Sequence, residues 1–235
     1  MEKIFDKKLK KISEIKWLPW IGDDFVNSKA KLLILGESHY KEWKGEKGEL
    51  NSIHFERNQI KEHYIKIKKG NENKIRVLDN LLKALYDKND ISSKEKFIFA
   101  NNISYCVISR KPLKDENERP TKKDFLEGWK IMSEIIKIIN PKNIIILGTT
   151  SINYLIKEPD ILLPLKLCNY NEQNTKINKT YPRKFVIKNN LNKINCVAIR
   201  HTSRYFSWYT WNKFIKKNID INNIINNGQS KNNGI

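Results

Sequence analysis

The chain reads as an α/β protein: a three-layer α/β/α sandwich around a central, mostly parallel four-stranded sheet. Two observations carry this expectation. Four short apolar runs, each ending in a glycine or a polar pair, have the unbroken apolar character of parallel strands buried on both faces. Between them lie stretches whose apolar residues recur at helical spacing, so strands and helices alternate along the chain. No internal repeat or linker divides it. Residues 1–220 are therefore expected to form a single domain, and the Asn-rich residues 221–235 a flexible tail.

The N-terminal residues, Met1 to Lys16, mix charged and apolar residues and lack the apolar core of a secretory signal. Trp17 and Trp20, on either side of Leu18-Pro19, are expected to cover one edge of the core. Lys31–Gly36 is the first strand candidate. Lys41 to Lys74 follows as a long, basic, irregular stretch, in which His54 and His63 are read as solvated. Such long loops in compact domains usually carry function. Arg76–Tyr86 is a helix, with Val77, Leu78, Leu81, Leu82 and Leu85 on its apolar face. Phe97–Ala100 is the second strand candidate, ending in Asn101-Asn102, and an irregular stretch from Arg110 to Pro120 comes next. Thr121 and Asp124 form a capping box that opens a helix buried through Phe125, Trp129, Met132, Ile136 and Ile139. Asn140-Pro141 stops it, and Asn143–Leu147 is the third strand, closed by Gly148. A short helix over Thr150–Ile156 leads to a long connection, Pro159–Lys193, with a hairpin around Phe185–Ile187. Ile194–Ile199 is the fourth strand, and Ser207–Lys217 the last helix, packed through Trp208, Tyr209 and Trp211.

Charge narrows the partners. Lys and Arg number 45 against 26 acids, a net +19, which suits a phosphate backbone or an anionic membrane. No apolar run approaches the roughly 20 residues that span a bilayer, so DNA is the expected partner, of a monomer and with no membrane. Three widely spaced cysteines, Cys106, Cys168 and Cys196, form no Cys-x-x-Cys pair. This argues for a reducing, cytoplasmic setting and against a disulfide framework or a metal site. Thr149, Thr150 and Ser151 lack the glycine spacing of a phosphate loop, so no cofactor is expected.

In open α/β sheets the site lies beyond the carboxyl ends of the strands. The residues there are Glu37, Ser38, His39 and Tyr40, then Asn101 and Asn102, then His201, Thr202, Ser203, Arg204 and Tyr205. An Asn amide presents a donor beside an acceptor and suits a nucleobase edge. An imidazole stabilises negative charge growing on a carbonyl oxygen. A carboxylate positions water or offsets an oxocarbenium-like sugar.

Leu33-Ile-Leu-Gly36-Glu37-Ser38-His39-Tyr40 resembles the first motif of uracil-DNA glycosylases. Asn102–Cys106, Arg110–Pro112, Arg119–Thr121 and Pro141–Gly148 are similar to the middle of that superfamily's thermostable, iron–sulfur branch, and His201-Thr202-Ser203 resembles its last motif. The resemblance covers roughly residues 30 to 217. It implies a monofunctional glycosylase that hydrolyses the N-glycosidic bond of a flipped-out uracil or other altered base. In that scheme Glu37 orients water, and Ser38 takes the position of a water-activating Asp. Asn102, or Asn101 one register away, reads the base, Tyr40 crowds its C5 position, and His39 lies beside it. His201 donates to the base O2, while Ser203, Arg204 and Tyr205 hold the DNA. The chain departs from the pattern at Ser38, at His39 and Thr202 where proline is usual, and in lacking the cluster cysteines. Those departures leave an alternative, a DNA-binding module on the same fold without hydrolysis.

Overall fold

The computed structural model describes residues 3–40, 49–68, 76–115, 117–190, 192–203 and 205–220, without the side chains of 49 and 63–68. The tail expected at 221–235 lies outside them, as does Arg204.

Among the described residues, seven strands form one sheet: β1 (Trp20–Ile21), β2 (Leu32–Gly36), β3 (Ile103–Val107), β4 (Asn143–Leu147), β5 (Lys166–Glu172), β6 (Arg183–Asn189) and β7 (Asn192–Ile199). The order is β1-β3-β2-β4-β7-β6-β5. The inner four, β3-β2-β4-β7, are parallel, as β2 pairs Leu32 with Ile103 and with Asn143, and β4 pairs Leu147 with Ile199. The expected four-stranded sheet is thus the middle of a larger mixed one. Antiparallel β1 closes one edge, and the antiparallel β5–β6 hairpin extends the other through β7. The hairpin expected around Phe185–Ile187 is real, but its polar, half-exposed outer strand gave no apolar run to read.

The helices are α1 (Asp6–Leu9), α2 (Phe55–Lys68), α3 (Arg76–Tyr86), α4 (Ser93–Asn102), α5 (Lys122–Ile139), α6 (Thr150–Lys157) and α7 (Trp208–Asn218). Strand side chains alternate between the two faces of the sheet. Leu33, Leu35, Ile144, Ile146, Cys196 and Ala198 meet α5 and α6 through Phe125, Trp129, Ile152 and Leu155. Leu32, Ile34, Ile145, Leu147, Val197 and Ile199 meet α2, α3, α4 and α7 through Ile60, Leu81, Phe99 and Trp211. Helices therefore cover both faces of the sheet, and the apolar strands carry no polar face because neither face meets water.

Two elements differ from expectation. Phe97–Ala100 lies inside α4, which starts at Ser92 with a full capping box to Glu95, and the second parallel strand is Ile103–Val107. Part of the stretch read as irregular is α2, while residues 41–48 and 69–75 lie outside the described set. Elsewhere the capping box at Thr121 and Asp124 forms as expected.

Gly128 of α5 marks where that helix presses on the chain leaving β3: a Cβ there would stand 2.1 Å from the Ile108 carbonyl oxygen. The obstacle is backbone and cannot rotate away. Gly128→Ala is expected to destabilise by about 1–3 kcal/mol or more, read as a lower urea midpoint at unchanged slope.

No helix among the described residues is long and apolar enough to cross a membrane.

Candidate active site

The path of the chain creates the crevice. From β2 it runs through α2, α3 and α4 to β3 on one side of β2, then returns through α5 to β4 on the other side. Reversing the winding direction splits the connections leaving neighbouring strands, and ligands bind at that opening beyond the carboxyl ends. The opening lies between β2 and β4, and the first residue past β2 is Glu37.

Glu37 is held by its backbone: its carbonyl accepts from the Ser109 amide at 3.0 Å, and the Gly36 carbonyl from Ile108 at 2.9 Å. Leu113 N–H donates to the His39 carbonyl at 2.8 Å, so the segments leaving β2 and β3 run together past the sheet. Across the opening, Gly148 ends β4 at φ 112°, and a Cβ on it would stand 3.8 Å from Glu37 Oε2. That distance is ordinary contact, and it is the φ, strained for any side chain, that calls for glycine at this turn.

A cavity of about 70 Å³ opens there. Glu37, Ser38, His39, Tyr40 and His201 provide its polar lining. Ile60, Val77, Leu78 and Tyr105 give apolar walls, and Gln59 of α2 reaches it as well. Burial raises the Glu37 carboxyl above its usual range, opposed by the exposed Arg119 guanidinium. Burial, with Arg119 adding to it, lowers His201 to about 4, so its imidazole is neutral at pH 7. One arginine thus acts on both groups in addition to burial, favouring the charged form of the carboxyl and the neutral form of the imidazole.

These shifts fix a pH signature. His201 is depressed from 6.5 to about 4, so between those values the unfolded chain binds a proton that the folded chain refuses. Its contribution to stability is therefore full above pH 6.5 and is lost as pH falls toward 4. The loss is on the order of 3 kcal/mol. Thermal unfolding of His201→Gln is expected to lack that part of the acid slope. An identical pH profile in the variant and the wild type would contradict the burial of His201.

The His201 loop is tied to α3. Thr202 is fully buried and its hydroxyl donates to the Val77 carbonyl at 2.7 Å. Asn80 Nδ2 donates to the Thr202 carbonyl at 2.7 Å and the Ser203 carbonyl at 3.3 Å. Threonine at this place supplies a bond that proline lacks. Ser203 Oγ lies 2.9 Å from His201 Nδ1, which orients the ring, a role its reading as a DNA contact did not include. Tyr205 is 85% exposed at the loop tip, at a left-handed φ of 54° that non-glycine residues seldom adopt.

Three expected assignments change. Asn101 and Asn102 end α4, at the amino end of β3, and do not line the cavity. Asn102 Nδ2 donates back to the Ile98 carbonyl at 2.9 Å, and the Asn101 carbonyl accepts from Asp24. Both asparagines thus sit at the opposite end of β3 from the place where a base-reading amide is needed. His39 borders the cavity, but its ring is packed edge-on against Trp17 and Phe55, with Nε2 3.3 Å from Glu56 Oε1. The same oxygen accepts from the Val107 amide at 2.9 Å and from Arg110 at 3.0 Å. His39 is therefore part of a buried ionic knot beneath the site. His54, read as solvated, is half-buried.

Sequence reasoning missed Arg119, Tyr105 and Gln59 as parts of the site. Arg119 stands in a motif already singled out, Arg119-Pro-Thr121, and a cation just before a capped helix was the available signal. Tyr105 lies within a strand and Gln59 within a helix that periodicity did not reveal. Among the described residues, no group of His, Cys, Asp or Glu has the makings of a metal site.

No protein-family model matches the chain, and no curated protein matches it.

Proposed function

We infer that the protein is a DNA glycosylase that hydrolyses the N-glycosidic bond of an altered base flipped out of DNA. One observation carries the reading: a buried carboxyl with a raised pKa and a buried neutral imidazole, Glu37 and His201, line one cavity at the winding reversal of the sheet. Paired groups whose environments push their pKa values apart are the usual acid, base and charge-stabilising partners of a bond-breaking site. The net charge of +19 supplies attraction to a polyanion, and helices on both faces of a mixed sheet suit the three-layer sandwich of the superfamily that the motifs resemble.

The chemistry follows from the two groups. Breaking the bond leaves positive charge on the sugar and negative charge on the base. Glu37 orients a water and offsets the sugar's charge. His201, uncharged, donates a hydrogen bond to a base carbonyl oxygen as it gains charge. The 2.9 Å contact between Nδ1 and Ser203 Oγ lets the hydroxyl donate to Nδ1, and in this reading the ring proton then sits on Nε2, the tautomer that donation requires. Ser38 and Tyr40 complete the lining beside Glu37. Tyr205, exposed at the tip of the His201 loop, contacts the duplex in this reading.

The test is a strand-scission assay on oligonucleotides with single uracil, hypoxanthine, xanthine or hydroxymethylcytosine sites. Alkali-labile product from one substrate, lost in His201→Ala, is the expected result. Salt-dependent binding with no abasic product on any substrate would support instead a DNA-binding module without hydrolysis.

A further inference from the structure

With Asn101 and Asn102 at the wrong end of β3, the site as described lacks an amide from either of them to read a ring edge. We propose that Gln59 performs this recognition, pairing its side-chain amide with the adjacent donor and acceptor on the edge of a planar nitrogen heterocycle held in the cavity. The inference rests on the glycosylase reading for its substrate class, but its geometry stands by itself.

Gln59 lines the cavity from α2, on an element different from those that carry Glu37 and His201. It therefore meets a different edge of any ring placed between them. Among the described residues its amide makes no hydrogen bond, whereas Glu56 and Arg57 of the same helix are bound to Val107, Arg110, Asp6 and Pro19. An amide that faces a cavity of mostly apolar wall and has no partner is poised for a ligand that supplies one.

The helix around it is fixed. Glu56, three residues earlier and on the same face, binds the Val107 amide and Arg110. Arg57, almost fully buried, makes a two-pronged contact with Asp6 and donates to the Pro19 carbonyl. Two consecutive anchors set the rotation and height of α2, so Gln59 enters the cavity at a defined place. Ile60 beside it adds an apolar surface for the face of the ring. A glutamine amide can pair with a lactam edge, N–H beside C=O, or with an amino-bearing edge, since it offers one donor and one acceptor.

Two substitutions test this. Gln59→Met keeps volume and removes the hydrogen bonds, and Gln59→Glu keeps shape and removes the donor. Base release is measured on whichever oligonucleotide the wild type processes, and free uracil, cytosine and hypoxanthine are titrated by calorimetry into wild type and both variants. Gln59→Met is expected to weaken ring binding and release by roughly 10- to 100-fold with the melting temperature retained. Gln59→Glu is expected to shift preference toward cytosine, whose amino group a carboxylate accepts. Release and binding unchanged in Gln59→Met would overturn the proposal while leaving the glycosylase reading intact. Absence of release on every oligonucleotide would overturn that reading. The titrations then decide the proposal alone: ring binding that Gln59→Met weakens upholds it, and no ring binding by the wild type overturns it.

Discussion

Glu37→Gln is expected to slow base release by roughly 10²- to 10⁴-fold and, at neutral pH, to raise the melting temperature. The two effects share one cause. Burial raises the Glu37 carboxyl, meaning that the fold resists its charged form. For a raised acid the linkage has a definite sign: the folded state holds the proton more tightly, so stability present at low pH is lost as pH rises through the folded value. Glutamine has the same shape and no charge to desolvate, so it relieves that cost. It also cannot orient water as a base or offset a cationic sugar. Single-turnover excision and thermal unfolding at pH 7, measured on one preparation, check both halves. A variant that is slower and less stable would mean that Glu37 is a structural anchor and that the chemistry lies elsewhere.

The second large effect lies beneath the site. Glu56→Ala is expected to destabilise the protein by about 3–5 kcal/mol, because it strands a buried guanidinium. Glu56 is fully buried, and one of its oxygens serves the Val107 amide, Arg110 and His39. Its other oxygen, Oε2, and Arg110 Nε and Nη2 are buried with no hydrogen-bond partner. A loss of that size consumes much of the 5–15 kcal/mol that holds a typical domain together. The knot is costly in itself, so Glu56→Met combined with Arg110→Met is expected to be less destabilising than either single change. Urea midpoints of the four proteins complete the cycle. Simple additivity of the two single changes would show that the pair is not coupled.

How far the chain could be read depended on burial symmetry. β2, β4 and the second half of β7 are enclosed on both faces, so they are nearly pure apolar runs and their limits were read to within a residue or two. β3 was misplaced because Ser104 and Tyr105 interrupt its apolar character: Ser104 bonds the Trp20 carbonyl, and Tyr105 turns toward the cavity. The error moved the strand upstream and carried Asn101 and Asn102 into the site. The correcting signal was local, since Ser92 and Glu95 have capping-box spacing and mark α4 as a helix. α2 was hidden for the opposite reason. Its inward face holds Glu56 and Arg57, whose partners lie far along the chain, so no apolar stripe betrays it. Glu37 and His201 were legible because each lies within two residues of the end of a readable strand. Gln59 reaches the same space, and Arg119 acts on it electrostatically, from segments whose positions only the folded chain defines.

The bonds of Thr202 and Asn80 have a bearing on how the molecule breathes. α3 is joined to the loop behind β7 at Val77 and Asn80, and to α7 by Asn212, whose amide donates to the Ala84 carbonyl at 2.6 Å. The imidazole, the cavity wall that bears Val77 and Leu78, and the last helix are thereby fastened into one cooperative unit. Local opening there is expected to be all or none, with His201 leaving its place only when two helices loosen together. Exchange of amide hydrogens should then proceed at a common rate along α3 and α7, slowing together when a ligand seats against His201.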